Sequence, residues 1–204
     1  MMVAVAAICM MTGCGNAKTD EVNTVVSSEQ EMEEQGAEEQ TTGEQQALMV
    51  TGEIKPVEVV FTDVKLGDTY EQIKEEYGEC PESDIKVSMA GGNEYNYKCE
   101  YLEYKGTVSF GFDGGDKLVY IRWSCEAEDK DELMKLDENV TDELQKLYGD
   151  SSNTKADNVF RWDIDGGTIM ITRMNATDAK LYYCTFYSSA YVDALQAETI
   201  KKEE

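Results

Sequence analysis

One pattern constrains this chain more than any other, and it occurs twice. An amphipathic helical stretch closes on Tyr-Gly and is followed by three segments of alternating apolar residues. In the first instance Tyr70, Ile73 and Tyr77 fall on one face of a helix over 68–77. Asp68 reads as its N-cap with Glu71 three residues on, and Gly78 as its stop. Strands are expected over 95–104, 106–112 and 117–125, with Asp113-Gly114-Gly115-Asp116 as a hairpin turn. In the second instance Leu133, Leu136, Val140, Leu144 and Leu147 keep helical spacing over 131–148, and Gly149 follows Tyr148. Strands are expected over 158–165, 167–173 and 179–187, with turns at Asp165-Gly166-Gly167 and Asn175-Ala176-Thr177-Asp178.

The two instances align. Gly106-Thr107-Val108 matches Gly167-Thr168-Ile169, and Lys117-Leu118 matches Lys180-Leu181. Shared element order and turn positions point to a duplication, with repeat one over about 62–125 and repeat two over about 129–187. The expected class is therefore α+β: two tandem αβββ repeats forming an antiparallel sheet with helices packed on one face. A short helix over 191–196 would end the chain.

Strand alternation assigns side chains to faces. The helix-covered face would carry Cys99, Tyr101, Val108, Phe110, Phe112, Val119, Ile121, Trp123 and Cys125 from the first repeat. Phe160, Trp162, Ile164, Ile169, Ile171, Tyr182, Cys184 and Phe186 would join them from the second. The other face would be mixed, with Tyr104, Leu118, Tyr120, Arg122, Arg161, Tyr183 and Tyr187 among its residues. That mixture suits an antiparallel sheet wetted on one side.

Composition excludes several functions. The 204 residues include 42 Asp and Glu, 18 Lys and Arg and no histidine, a formal charge of −24. Without His there is no Ser-His-Asp or Cys-His catalysis, no HExxH zinc site and no imidazole switch. Nucleic-acid binding needs a basic footprint, so no nucleic-acid partner is expected. GxSxG, SxxK and phosphate-loop glycines are also missing. The chain is read as a non-enzyme that needs no cofactor and no metal. Asp113-Gly114-Gly115-Asp116 could offer oxygen ligands to Ca²⁺, but its glycines need only a turn to explain them.

Ahead of the repeats the character changes. Residues 1–11 are an uncharged apolar run, shorter than the about 20 residues of a spanning helix and suited to a signal-peptide core. The run leads into Met11-Thr12-Gly13-Cys14-Gly15-Asn16, which resembles a bacterial lipobox. The resemblance implies cleavage after residue 13 and a diacylglycerol anchor on Cys14, hence an extracytoplasmic, membrane-anchored lipoprotein. Residues 15–52 carry Lys18 against nine acidic residues and no aromatic. Such a segment cannot bury enough apolar surface to offset chain entropy, so 14–52 reads as a lipidated, disordered tether. It would span roughly 35 Å as a flexible coil. The folded domain is expected over 53–204.

A secreted lipoprotein with tandem helix-plus-three-strand units resembles the β-lactamase-inhibitor-protein-like fold. That group includes the small outer-membrane assembly lipoproteins of the SmpA/OmlA type. The residues carrying the resemblance are the Leu66-Gly67-Asp68-Thr69 start, the helix closing at Tyr77-Gly78 and the strand ending in Asp116-Lys117-Leu118. It implies protein binding by the open sheet face or its loops, and no catalysis.

The only three arginines, Arg122, Arg161 and Arg173, all lie in expected strands. Arg122 and Arg161 share the open face with Tyr104, Tyr120, Tyr183 and Tyr187, and Tyr and Arg are enriched at binding hot spots. These six are the candidate partner-binding residues, set against the alternative of ordinary cross-strand pairs. An envelope protein, peptide or polymer is the expected partner. A glycan or small-molecule sensor is the first alternative, and an envelope hydrolase with paired carboxylates the second. Cys80, Cys99, Cys125 and Cys184 could oxidise in an exported domain. Two strand spacings separate Cys99 from Cys125, beyond disulfide reach. Cys80–Cys99 with Cys125–Cys184 is then the preferred pairing, and free buried thiols are the alternative.

Overall fold

Packing begins before the first helix. The computed structural model describes residues 47–152, 159–175 and 180–203. The expected signal peptide, Cys14, nearly all of the expected tether and residues 176–178 of the second expected turn lie outside the described residues. Residues 47–52, expected in the tether, are instead part of the fold. Leu48 O accepts from Gly114 N–H at 2.9 Å, and Val50 N–H donates to Asp113 Oδ2 at 2.7 Å. Val50 is buried, as are Val57, Val59, Phe61, Val64 and Leu66 farther along. Leu48 and Val50 supply the apolar contact, and the acidic, polar stretch before them hides it in the sequence.

Helix α1 spans Tyr70–Tyr77 and closes on Gly78 as expected. Its N-cap is Thr69, one residue beyond Asp68. Thr69 and Gln72 form the reciprocal capping box. The Asp68 carboxylate accepts from Lys65 N–H at 2.8 Å and fixes the turn before the helix. A one-turn 3₁₀ helix at Glu82–Asp84 and a three-residue strand β1, Ile85–Val87, follow. Both are too short to show a period. Strand β2 spans Gly91–Tyr101, β3 Tyr104–Asp113 and β4 Leu118–Glu126. Helix α2 runs Lys130–Tyr148, capped by Asp129 and stopped at Gly149. Strands β5, β6 and β7 are Val159–Ile164, Gly167–Asn175 and Lys180–Ser188. Helix α3, Ser189–Glu203, is far longer than the expected 191–196.

The class is α+β. All seven strands form one antiparallel sheet in the order β1-β2-β3-β4-β7-β6-β5. The main core lies on one face of the sheet, where Ile73 of α1 and Leu133, Leu136, Val140 and Leu144 of α2 meet Val108, Phe110, Ile121, Trp123, Ile169 and Phe186. A second, smaller core lies apart from it and comprises Val50, Ala90, Val119, Tyr120 and Tyr191. The opposite face is thus partly covered by α3 and the 47–52 segment.

Two local devices change the face assignments. Gly111 pairs with Tyr120 but Phe112 pairs with Leu118, so β4 carries one extra residue, a bulge. Leu118 therefore belongs to the main core and Val119 to the second, the reverse of strict alternation. The β2–β3 hairpin turns on Leu102 and Glu103, both at positive φ, and Tyr101 pairs with Tyr104. Paired residues share a face, so Tyr104 joins Tyr101 and Val108 on the helix side rather than the open side. Its hydroxyl accepts from Asn139 of α2 at 3.4 Å.

Candidate functional site

The face opposite the main core is built from residues two apart on each strand. Register aligns Asn96, Ser109, Arg122, Thr185, Met170 and Arg161 in one row across β2, β3, β4, β7, β6 and β5. Arg122 and Arg161 thus share a row, three strand steps or roughly 14 Å apart. Tyr183 lies in the adjoining row, opposite Ser124. Tyr120 and Tyr187 are opposite one another in the row on the other side.

Arg122 is the centre of this face. Its Nη2 is 2.9 Å from Glu94 Oε2, and its guanidinium lies 5.8 Å and 5.7 Å from the ring centroids of Tyr120 and Tyr183. The Tyr120 hydroxyl donates to the same Glu94 oxygen and accepts from Met89 N–H at 3.3 Å. Glu94 is buried, so its charge is compensated by a guanidinium and a phenol at once. The cluster is a rigid, nearly neutral polar plug on a chain of −24 overall charge.

The six candidate residues divide three ways. Arg122, Arg161 and Tyr183 retain accessible surface on this face. Tyr120 is fully buried and Tyr187 half-buried beneath Tyr191 of α3, whose ring stacks on Tyr187 at 6.0 Å. Tyr104 is on the opposite side altogether. Burial raises the pKa of Tyr120, with the Glu94 charge adding to the effect, and burial raises that of Tyr187. Tyr191 is pushed up to about 12 by burial and by Tyr187 and Glu198. All three are neutral phenols at physiological pH and offer hydrogen bonds and flat surface, not proton transfer. Arg161 is exposed and pairs along its own strand with Asp163, at 2.7 Å.

Sequence reasoning missed Glu94 because the strand was expected to start at residue 95. Period two carried back from Lys98 through Asn96 would have placed it on this face. It also missed Asp137 of α2, which holds Arg173 at 2.8 Å on the helix side of the sheet. Arg173 thus belongs to the core seam and not to the open face.

The four cysteines among the described residues, Cys80, Cys99, Cys125 and Cys184, are free thiols. Register puts Cys125 opposite Tyr182 and Trp123 opposite Cys184, so Cys125 and Cys184 are diagonal neighbours. Diagonal pairs stand about 7–8 Å apart, beyond disulfide reach, which replaces the expected Cys125–Cys184 bridge. The Cys80–Cys99 bridge is likewise not formed: the Cys80 thiol donates to Asn96 O at 3.7 Å, and Cys99 sits opposite Gly106. Burial raises the pKa of Cys99, Cys125 and Cys184, the last fully enclosed. Thiolate is the reactive form. Alkylation of the native chain at neutral pH should therefore be slow at these three and slowest at Cys184. Denaturation without reductant should expose all four domain thiols to the reagent. Mass spectrometry checks both, and domain cysteines that stay unmodified after denaturation would restore the bridges.

Other chemistry finds little support. Among the described residues no group of three or more Cys, Asp or Glu is arranged to hold a metal ion. Both Asp113 oxygens are spent on backbone: Oδ2 on Val50 N–H, and Oδ1 on Gly115 and Lys117 N–H at 2.9 Å each. A groove of about 610 Å³ beside the start of α3 contains Glu53, Asp165 and Asp193. Lys55 binds Asp165 at 2.8 Å and holds its carboxyl below the usual range, the opposite of what a general acid needs. No helix among the described residues is long and apolar enough to cross a membrane. No protein-family model matches the chain, and neither a curated protein nor a solved structure matches it.

Proposed function

We propose that this chain is a cell-envelope lipoprotein, anchored through diacylglycerol on Cys14, whose folded part binds a protein or peptide without catalysing a reaction. The observation that carries this reading is Arg122 clamped between Tyr120 and Tyr183, in the same row as Arg161. Preorganised Arg and Tyr side chains lose little conformational freedom on binding, which suits a hot spot. The contact surface is accordingly Arg122, Arg161 and Tyr183, with Met170 between the arginines. Neither the groove beside α3 nor the one between the β2–β3 turn and α2 is lined by Arg122 or Tyr183.

The finer architecture is part of the same proposal. Each αβββ unit is a helix with three long strands, and the third strands, β4 and β7, pair at the middle of the sheet. Two duplicated units that meet through equivalent strands account for this order.

Crosslinking in native envelopes tests the proposal. A Tyr183→Ala, Arg161→Ala double variant should lose recovery of the crosslinked partner by at least tenfold, on the order of the two or more hot-spot contacts removed. Its melting temperature should stay within a few degrees of the parent, since both side chains are partly or largely exposed. In the same preparation Cys14→Ala should move the chain from the membrane to the soluble fraction. Unchanged partner recovery rejects the binding face, and unchanged fractionation rejects the anchor.

A further inference from the structure

Where α2 packs on the sheet, four buried polar atoms have no hydrogen-bond partner among the described residues. They are Tyr182 Oη on β7, Tyr101 Oη on β2, and Asp137 Oδ1 and Thr141 Oγ1 on α2. All four atoms are sealed from solvent. Asp137 and Thr141 are four residues apart, hence neighbours on one helical face. The other Asp137 oxygen is bound to Arg173 at 2.8 Å, and Arg173 is the cross-strand partner of Tyr182. Trp123 lies between the two tyrosines, with ring centroids 5.5 Å from Tyr101 and 6.2 Å from Tyr182. The hydroxyl of Tyr182 feels the charges of Asp137 and Arg173 and the hydroxyl of Tyr101. These groups therefore belong to one polar seam inside an otherwise apolar interface.

A buried hydroxyl or carboxylate oxygen left without a partner is costly, and folded proteins rarely tolerate one, let alone four together. Two phenols, a carboxylate oxygen and a threonine hydroxyl supply both donors and acceptors. That is the partner set of an internal water, which typically makes about three hydrogen bonds to such groups. An apolar ligand would leave every one of them unsatisfied. A groove of about 660 Å³ between the β2–β3 turn and α2 contains Leu102, Glu103, Asn139 and Glu143, and Glu143 reaches the Tyr101 hydroxyl electrostatically.

We propose that the interface between α2 and the sheet encloses at least one ordered water molecule, hydrogen-bonded to Tyr182 Oη and Asp137 Oδ1, with the hydroxyls of Thr141 and Tyr101 completing its shell. The water substitutes for a direct side-chain contact between helix and sheet. It makes α2 a helix seated on a hydrated seam.

Water-oxygen magnetic relaxation dispersion on the full chain tests this directly. The parent chain should show at least one long-lived internal water, and Tyr182→Phe should show at least one fewer. Thermal melting gives an independent sign. If the Tyr182 hydroxyl holds a water, Tyr182→Phe breaks a satisfied network and lowers the melting temperature by several degrees. If the seam is dry, the same variant removes an unsatisfied group and raises it. Absence of any long-lived water in the parent chain, or an equal count in a folded Tyr182→Phe chain, overturns the proposal. Should Tyr182→Phe fail to fold, Thr141→Val removes another hydroxyl from the shell and is read by the same two measurements.

Discussion

Glu94→Ala should destabilise the fold by about 3 kcal/mol, the cost of breaking a buried ion pair by removing one partner. Two groups lose their partner together. Arg122 Nη2 loses its carboxylate at 2.9 Å, and the fully buried Tyr120 hydroxyl loses its acceptor. Neither is recovered by solvent at low cost, because Tyr120 is roofed by Tyr191 and the Arg122 side chain is only 21% exposed. Glu94→Gln keeps an acceptor for the phenol but not the charge, so it should fall between the parent and alanine. Urea titrations of the three chains check the order. A Glu94→Ala chain with an unshifted midpoint would mean that the cluster is open to water, and the polar plug described above would not exist. The result also bears on the binding proposal, since it separates side chains that build the face from those that meet a partner. Tyr120→Ala belongs with the builders: partner loss in such a variant would report unfolding.

Trp123→Ala should cost about 4 kcal/mol, in the usual range for removing a large buried aromatic. The indole is fully buried between Tyr101 and Tyr182, and it covers Gly106 of the neighbouring strand. A Cβ at Gly106 would stand 2.6 Å from Trp123 Nε1 and 2.4 Å from Ser124 O. Glycine there lets the ring approach the neighbouring strand closely. The loss is also a cavity beside the polar seam, so both transfer and void contribute. A fold stabilised by 5–15 kcal/mol would lose a large fraction of its margin. Denaturant midpoint and melting temperature measure it, with fluorescence then reporting Trp162 alone. A shift under about 1 kcal/mol would show that the neighbours collapse into the space.

Much of the main core was legible because alternation and helical spacing are local. Val108, Phe110, Ile121, Trp123, Ile169, Ile171, Cys184 and Phe186 all fall where period two places them. The stops at Gly78 and Gly149 were legible for the same reason, since a left-handed residue ends a helix within one turn. Phase was the weak point. One bulge residue exchanged Leu118 with Val119, and a two-residue turn carried Tyr104 to the helix side. A residue inserted into a strand, or a turn one residue earlier than expected, reverses every face beyond it without altering composition.

The candidate site was legible only in part. Arg122, Arg161 and Tyr183 were found because polar and aromatic residues alternate with apolar ones along their strands. That Tyr120 is buried, that Glu94 reaches Arg122 and that Tyr191 covers Tyr187 all depend on contacts between distant parts of the chain.

The sequence by itself therefore determined the periods, the helix stops, the α+β class and, through its missing histidine, the exclusion of common catalytic routes. Those properties follow from backbone geometry and side-chain chemistry within a few residues. Only the tertiary structure decided that β4 pairs with β7, and that the 47–52 segment and α3 cover part of the open face. It also decided that four polar atoms are left without partners where α2 packs on the sheet. The reason is physical: pairing and docking are chosen by total buried surface and by satisfied polar groups across the whole molecule, and no local window contains that balance.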